Sequence, residues 1–262
     1  MILLTEVAEG IGTLTLNRPE ARNALSSELV AAIADALADL DGQGLAAIIL
    51  TGTDPAFCAG VDLKRLSSSG RLPAGAPPTT RTRPAGPRHL GALPPHETPV
   101  IGAVNGPAVT GGFELALACD FLIASERATF ADTHARVGVM PGWGLTIRLP
   151  ELIGVNRARQ LSFTGDFLDA RRAYEWGLVN EVVPHDRLLP RAREIASHIA
   201  TVAQANVRQI RRMYAATGAP EETWRREQAW SDEWMRTSFD QERLVTERGA
   251  ITERGRAQQQ DR

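Results

Sequence analysis

The 262-residue chain is long enough to bury one substantial core with a smaller helical unit appended. Its net charge of −2, with 29 Lys and Arg dispersed among 31 Asp and Glu, excludes a global pull toward nucleic acid or an acidic membrane. No apolar run reaches the roughly 18 residues that span a bilayer, and residues 1–6 lack the basic-then-apolar pattern of a leader, so a cytoplasmic protein is expected. Two cysteines, Cys58 and Cys119, are too few for a disulfide framework and suit small buried positions. A nucleophilic thiol is the alternative, although no neighbour in sequence would lower either pKa.

In chain order, residues 2–17 alternate weakly, and Gly10-Ile11-Gly12 marks a tight turn between two short strands. A polar loop over 17–25 leads to Ser26, a suitable cap for a helix with Glu28 in its first turn. Leu25, Leu29, Ile33, Leu37 and Leu40 recur at helical spacing and predict one buried face, closed by Gly42 and Gly44. The apolar run 45–50 predicts a buried strand, and 51–55 a turn. Residues 56–64 then form a strand-to-loop segment in which Gly60 leaves the backbone exposed.

Residues 66–99 hold eight of the sixteen prolines, with four glycines and four arginines, a density that disfavours helix and central strand. They predict a mobile flap beside a ligand cleft, or else a surface insertion with no part in chemistry. The stretch 104–120 organises the rest. An apolar run over 100–104 stops at Asn105-Gly106-Pro107, and Gly111-Gly112 leads into helix-forming residues, so Glu114 falls in a helix's first turn. Glycines near a helix start leave N–H groups uncovered, able to receive a developing negative charge. With segment 56–64, about 50 residues earlier, supplying a second N–H, the pair would form an oxyanion hole. The alternative is a plain strand-to-helix connection with glycines for close packing.

Residues 121–124 predict a buried strand. Residues 129–150 are too rich in turn formers for one regular element and predict a structured loop carrying His134. His134 has the ordinary pKa for acid–base work near neutrality, against a structural or solvent-facing role. No metal site is expected, because no histidine lies in an HExxH or paired Cys/His spacing. Residues 157–179 read as helix, turn at Thr164-Gly165 and helix, ending at Gly177, with a strand over 179–183 stopped by Pro184. Helices are predicted over 188–199, 202–214 and 222 to about 245, the last after a break at Gly218-Ala219-Pro220. Trp224, Trp230 and Trp234 suggest burial against the core or another subunit. Residues 248–262 are nearly free of apolar side chains and are expected to fray. The chain has no Walker A, no GxGxxG after a strand, no GxSxG and no internal sequence repeat.

Five motifs in order resemble the enoyl-CoA hydratase/isomerase, or crotonase, family over about residues 5–215. They are Asn17-Arg18-Pro19-Glu20-Ala21-Arg22-Asn23-Ala24-Leu25, Ala56-Phe57-Cys58-Ala59-Gly60-Val61-Asp62-Leu63, the pair Val104-Asn105-Gly106 and Gly111-Gly112-Phe113-Glu114-Leu115-Ala116, Pro141-Gly142-Trp143-Gly144, and Glu175-Trp176-Gly177-Leu178-Val179-Asn180-Glu181-Val182-Val183. The resemblance implies an α/β crotonase-like (ClpP/crotonase) spiral of ββα units with a helical C-terminal region. Residues 1–195 would be the core with the acyl-CoA site, and 196–262 a trimerisation region with a frayed tail, giving a homotrimer or a hexamer of two trimers.

It also implies an acyl-CoA thioester as the ligand, with no cofactor beyond the coenzyme A of the substrate, and no nucleic-acid or membrane partner. The N–H groups of Val61 and Gly111 would hold the thioester oxygen, which becomes an enolate oxygen when a proton moves at the α-carbon or water adds across a conjugated double bond. Arg22, Ala24, Ala59, Val61, Asp62, Leu63, Gly111 and Trp143 match substrate contacts, with Lys64 or Arg65 for phosphate. Glu114 matches the glutamate that activates water, and the position of the second glutamate of hydratases falls on His134, with Asp132 able to orient it or take its place. The aspartate of related dehalogenases and dienoyl isomerases would fall at Gly142, which disfavours both chemistries. The expected activity is enoyl-CoA hydration. The alternatives are isomerisation or other enolate chemistry, and an acyl-CoA-binding protein without efficient turnover.

Overall fold

Glu9 and Gly10, with φ of 52° and 74°, close a two-residue turn between strands β1 (Leu3–Ala8) and β2 (Ile11–Leu16). Such a turn has the twist an antiparallel hairpin requires. It lies one residue before the expected one, because Ile11 already pairs with Ala8 in the ladder. The computed structural model describes residues 1–72, 91–216 and 219–260. Helix α1 (Ser27–Asp41) starts where predicted, the Ser26 side chain accepting from Leu29 N–H. Leu29, Ile33, Leu37 and Leu40 on one face of it are buried, as is Leu25 just ahead of its cap. At about 1.5–3 kcal/mol for each large side chain removed from water, that face outweighs the marginal stability of an isolated helix of this length.

Three turns of a spiral follow, each placing one strand in a large sheet, a second extended segment in or against a small sheet, and then a helix. The first is β3 (Ala47–Gly52), the stretch around Cys58, and α2 (Leu63–Ser69). The second is β4 (Val100–Val104), β5 (Ala108–Val109) and α3 (Gly111–Leu117). The third is β6 (Phe121–Ser125), β7 (Thr129–Ala131) and α4 (His134–Val137). Helices α5 (Leu145–Ile153) and α6 (Val155–Thr164), strand β8 (Leu168–Asp169), helix α7 (Ala170–Glu175) and strand β9 (Glu181–Val183) complete the core. The large sheet has the order β1-β2-β3-β4-β6-β9, parallel beyond β2, and the small one β5-β7-β8. Parallel strands covered on both faces read as unbroken apolar runs. Accordingly Ile48 and Leu50 join the α1 side of the core, while Ala47 and Ile49 meet helix α8 (Leu188–Ala200) on the other face through Leu188, Ala192 and Ala196.

Several expectations change. Residues 63–69 are helix rather than the start of a proline-rich loop, capped by the Asp62 carboxylate. The rest of the expected flap falls mainly on 73–90, outside the described residues. The loop expected over 129–150 contains β7, α4 and α5, because short elements separated by Gly138, Gly142 and Gly144 leave no continuous hydrophobic period. The second helix expected within 157–179 is preceded by β8. Helix α9 (Gln204–Ala216) matches its expectation to within two residues, but the long helix expected next is two, α10 (Glu221–Thr237) and α11 (Gln241–Gln260).

The expected fraying after Arg248 is therefore corrected: residues 248–260 are helical. Leu244 and Ile251 on α11 pack with Leu66 on α2 and Val137 on α4. Gln258 bridges Arg136 and Asp166. Few apolar side chains suffice when a helix also docks through polar contacts. Among the described residues no helix is long and apolar enough to cross a membrane.

Candidate active site

The spiral itself brings the two expected amides together. Cys58 bridges Ala108 in parallel register, so the residues three further on, Val61 and Gly111, occupy equivalent places in adjacent turns. A Cβ built on Gly111 would stand 3.8 Å from the Val61 side chain. Both glycine requirements nearby are steric. At Gly112 a Cβ would lie 2.1 Å from the Cys58 carbonyl oxygen, and at Gly60, with φ of +87°, 2.5 Å from that of Val109.

Around Val61 the pairing with Leu25 runs from Leu25 N–H to Gly60 O (2.7 Å) and from Asp62 N–H to Leu25 O (3.2 Å), stepping over the Val61 N–H. Thr110, held at φ 54°, turns the chain into α3 so that Gly111 opens the helix. Among the described residues neither the Val61 nor the Gly111 N–H donates to a main-chain carbonyl.

Both residues line a cavity of about 600 Å³ together with Glu114, His134, Met140 and Trp143. Glu114 sits in the first turn of α3, 4% exposed, and its Oε1 accepts from the N–H groups of Gly142 (3.2 Å) and Trp143 (2.8 Å). Its Oε2 lies 3.5 Å from His134 Nε2. On the far side of the ring, His134 Nδ1 is 2.6 Å from Asp132 Oδ1. A carboxylate, an imidazole and a second carboxylate thus form one buried row.

Burial alone would push the His134 pKa down, but hydrogen bonding to Asp132 and the charge and contact of Glu114 outweigh it and raise it to about 10. Burial would likewise raise Asp132, and the His134 partnership instead holds it below the usual carboxylate range. The ring is therefore an imidazolium at neutral pH, with Nε2–H turned toward Glu114 and the cavity. Burial pushes the Cys58 thiol up to about 12 and that of Cys119 up as well, which removes both as nucleophiles at neutral pH.

Val61 and Val139 also line a second cavity of about 560 Å³, where Arg22, Ala24, Ala59, Asp62 and Leu63 all lie. Its wall carries Arg18, Arg22, Lys64, Arg136, Arg248 and Arg256 against Glu20 and Asp62. Of the two phosphate candidates, Lys64 lines this cavity, whereas Arg65 is tied to Glu28 through both its terminal nitrogens. Asp62 is occupied as the α2 cap and by Arg18 at 3.2 Å. Of the residues proposed from sequence, Glu114, His134, Val61, Gly111 and Trp143 line the first cavity and Arg22, Ala24, Ala59, Asp62, Leu63 and Lys64 the second, whereas Arg65 and Asp132 line neither. Arg18, Arg248 and Arg256 were not singled out. Arg18 lies inside the first of the five motifs, and Arg248 and Arg256 lie in the stretch expected to fray. Among the described residues no cluster of His, Cys, Asp and Glu could hold a metal ion.

A ββα spiral with two uncommitted amides beside a buried acid and imidazolium defines a crotonase-type α/β protein. A model of the enoyl-CoA hydratase/isomerase family matches residues 6–259, and the chain belongs to that family. It is 39% identical over 212 residues to a probable peroxisomal enoyl-CoA hydratase 1 of Arabidopsis thaliana, covering 80% of this chain and 77% of that one. It is 37% identical over 216 residues to a crotonyl-CoA hydratase of Syntrophomonas wolfei, covering 79% and 78%. Among solved structures, an enoyl-CoA hydratase from Mycobacterium smegmatis aligns with a TM-score of 0.78 at 44% identity, covering 91% of this chain and all of that one.

Proposed function

We propose that the protein catalyses the reversible addition of water to a 2-enoyl-CoA thioester. The observation that carries this reading is the Glu114–His134 pair, two acid–base groups 3.5 Å apart in a cavity that also holds the Val61 and Gly111 amides. In the hydration direction Glu114 takes a proton from water as the oxygen bonds to the β-carbon, and the electron pair moves onto the thioester oxygen. The Val61 and Gly111 N–H groups hold that oxygen as the enolate forms. The His134 imidazolium then gives its Nε2 proton to the α-carbon, and the proton on Glu114 passes back to His134 across their contact. The circuit closes without a proton leaving the cavity. Asp132 holds the ring through Nδ1.

The second cavity is assigned to coenzyme A, with Arg22 and Lys64 facing its phosphates. The same proton relay also supports transfer between the α- and γ-carbons, so isomerisation of a 3-enoyl-CoA is the second reading. A homotrimer, or two stacked trimers, assembled through residues 196–262, and a cytoplasmic location belong to the same proposal. Exposed Met213 and Tyr214 on α9 offer apolar surface for assembly. The test is loss of the conjugated chromophore when crotonyl-CoA and longer 2-enoyl-CoAs are incubated with the protein, with 3-enoyl-CoAs assayed for isomerisation. Turnover of 2-enoyl-CoA that Glu114→Gln abolishes supports hydration. Tight thioester binding without turnover of any of these substrates would refute it.

A further inference from the structure

One stripe of α10 is devoted to the loop that carries the amides facing Glu114. Trp224, Glu227, Ser231 and Trp234, spaced three, four and three residues apart, share a helix face. Ser231 Oγ donates to Met140 O (3.1 Å), and Trp234 Nε1 donates to Gly138 O (2.8 Å). The Trp224 ring packs over Gly144 and stacks with the Arg148 guanidinium, 5.3 Å from the ring centroid.

Glu227 makes the most directed contacts of the four. Its Oε1 accepts from Gly144 N–H (2.6 Å), and its Oε2 accepts from Thr146 N–H (3.0 Å) and the Thr146 hydroxyl. These donors lie at the start of α5, where unpaired N–H groups and the helix dipole favour a carboxylate. The side chain is buried, so burial holds its pKa above the usual carboxylate range, and the nearby Glu114 charge adds to that shift. Two glutamates therefore grip neighbouring amides of one five-residue segment, 142–146. Glu114 takes those of Gly142 and Trp143, and Glu227 takes those of Gly144 and Thr146.

We infer that Glu227 is a positioning residue for the reaction: by clamping Gly144 and Thr146 it fixes the Gly142 and Trp143 amides, and these set the direction in which Glu114 presents its Oε2 to His134 and the cavity. The link runs through main chain, so Glu227 needs no contact with substrate. The inference rests on the catalytic role proposed for Glu114. It goes beyond that role by making the C-terminal helix part of the machinery for proton transfer. A misplacement of about 1 Å at a reacting group can cost on the order of 10²-fold in rate, so even a small shift of this segment is readable.

The experiment compares wild type, Glu227→Gln, Glu114→Gln and the double variant in hydration of crotonyl-CoA, with melting temperature and oligomeric state recorded for each. Glu227→Gln keeps the shape and one acceptor oxygen, whereas Glu227→Ala leaves three donors unpaired. The expected result is a fall in kcat of about 10-fold or more with KM within about 2-fold. In the double variant the Glu227 change adds less than about 2-fold to the loss from Glu114→Gln, because the two act through one another. Unchanged kcat in Glu227→Gln, or losses that multiply in the double variant, would overturn the inference. Failure of Glu114→Gln to lower the rate would instead overturn the functional reading on which it rests.

Discussion

The cleft around Glu114 and the basic cavity beside it share Val61 and Val139, yet they hold their charges in opposite ways. In the cleft Glu114, His134 and Asp132 are all at least nine-tenths buried, and each is fixed by a named partner. In the basic cavity Lys64 and Arg256 are exposed and Arg18, Arg22, Arg136 and Arg248 half-buried, with Arg18 pairing with Asp62 and Arg136 with Asp166. On the proposed assignment the difference reflects what each must do. Moving a proton onto carbon needs groups already oriented in a medium of low dielectric. Attracting phosphate works through water with mobile cations. Changes in the cleft should therefore appear in kcat, and changes in the basic cavity in KM.

The largest expected effect is on the cleft's carboxylate. Glu114→Gln keeps the acceptor for the Gly142 and Trp143 amides but cannot take a proton from water, so kcat for crotonyl-CoA should drop about 10³-fold with KM little changed. His134→Ala should cost about 10²-fold; an unchanged rate would remove the ring from the mechanism. Asp132→Asn, which weakens the hold on Nδ1, should cost about 10-fold and draw the alkaline limb of the hydration rate down from near pH 10.

The same raised pKa fixes a sign for stability. The His134 contribution is complete below its ordinary value of 6.5 and is lost as pH rises through about 10, so urea melts should show stability declining across that window. In His134→Gln the decline should flatten. The smallest effects sharpen the comparison on the other side. Lys64→Ala should raise KM a few-fold at constant kcat, while Arg65→Ala, which only releases Glu28, should change neither. Equal effects from the two would blur the distinction between the cavities.

How far the site was legible in the sequence follows the same physical line. Glu114 and Gly111 could be placed because a strand, a turn and a helix start leave local marks in residue type. The meeting of Val61 with Gly111 could be proposed but its cause could not be seen, since the Cys58–Ala108 bridge is a pairing across 50 positions with no sequence repeat to announce it. His134 carried the right chemistry without its charge state, which depends on Asp132 and Glu114 from two different elements. The C-terminal helices were the least legible part. Periodicity detects apolar stripes, whereas α10 grips the core through Glu227, Ser231 and Trp234, and α11 through Leu244 and Gln258, so few of the informative residues are hydrophobic.

The central claim is that one thioester oxygen meets two amides from adjacent turns of the spiral, and a crystal structure with a slowly reacting acyl-CoA bound tests it most directly. The account predicts the carbonyl oxygen at about 2.7–3.1 Å from both the Val61 and Gly111 nitrogens, with the β-carbon facing Glu114 and the α-carbon facing His134. A carbonyl bound by neither amide, with the acyl chain outside the cavity that holds Glu114, would contradict it.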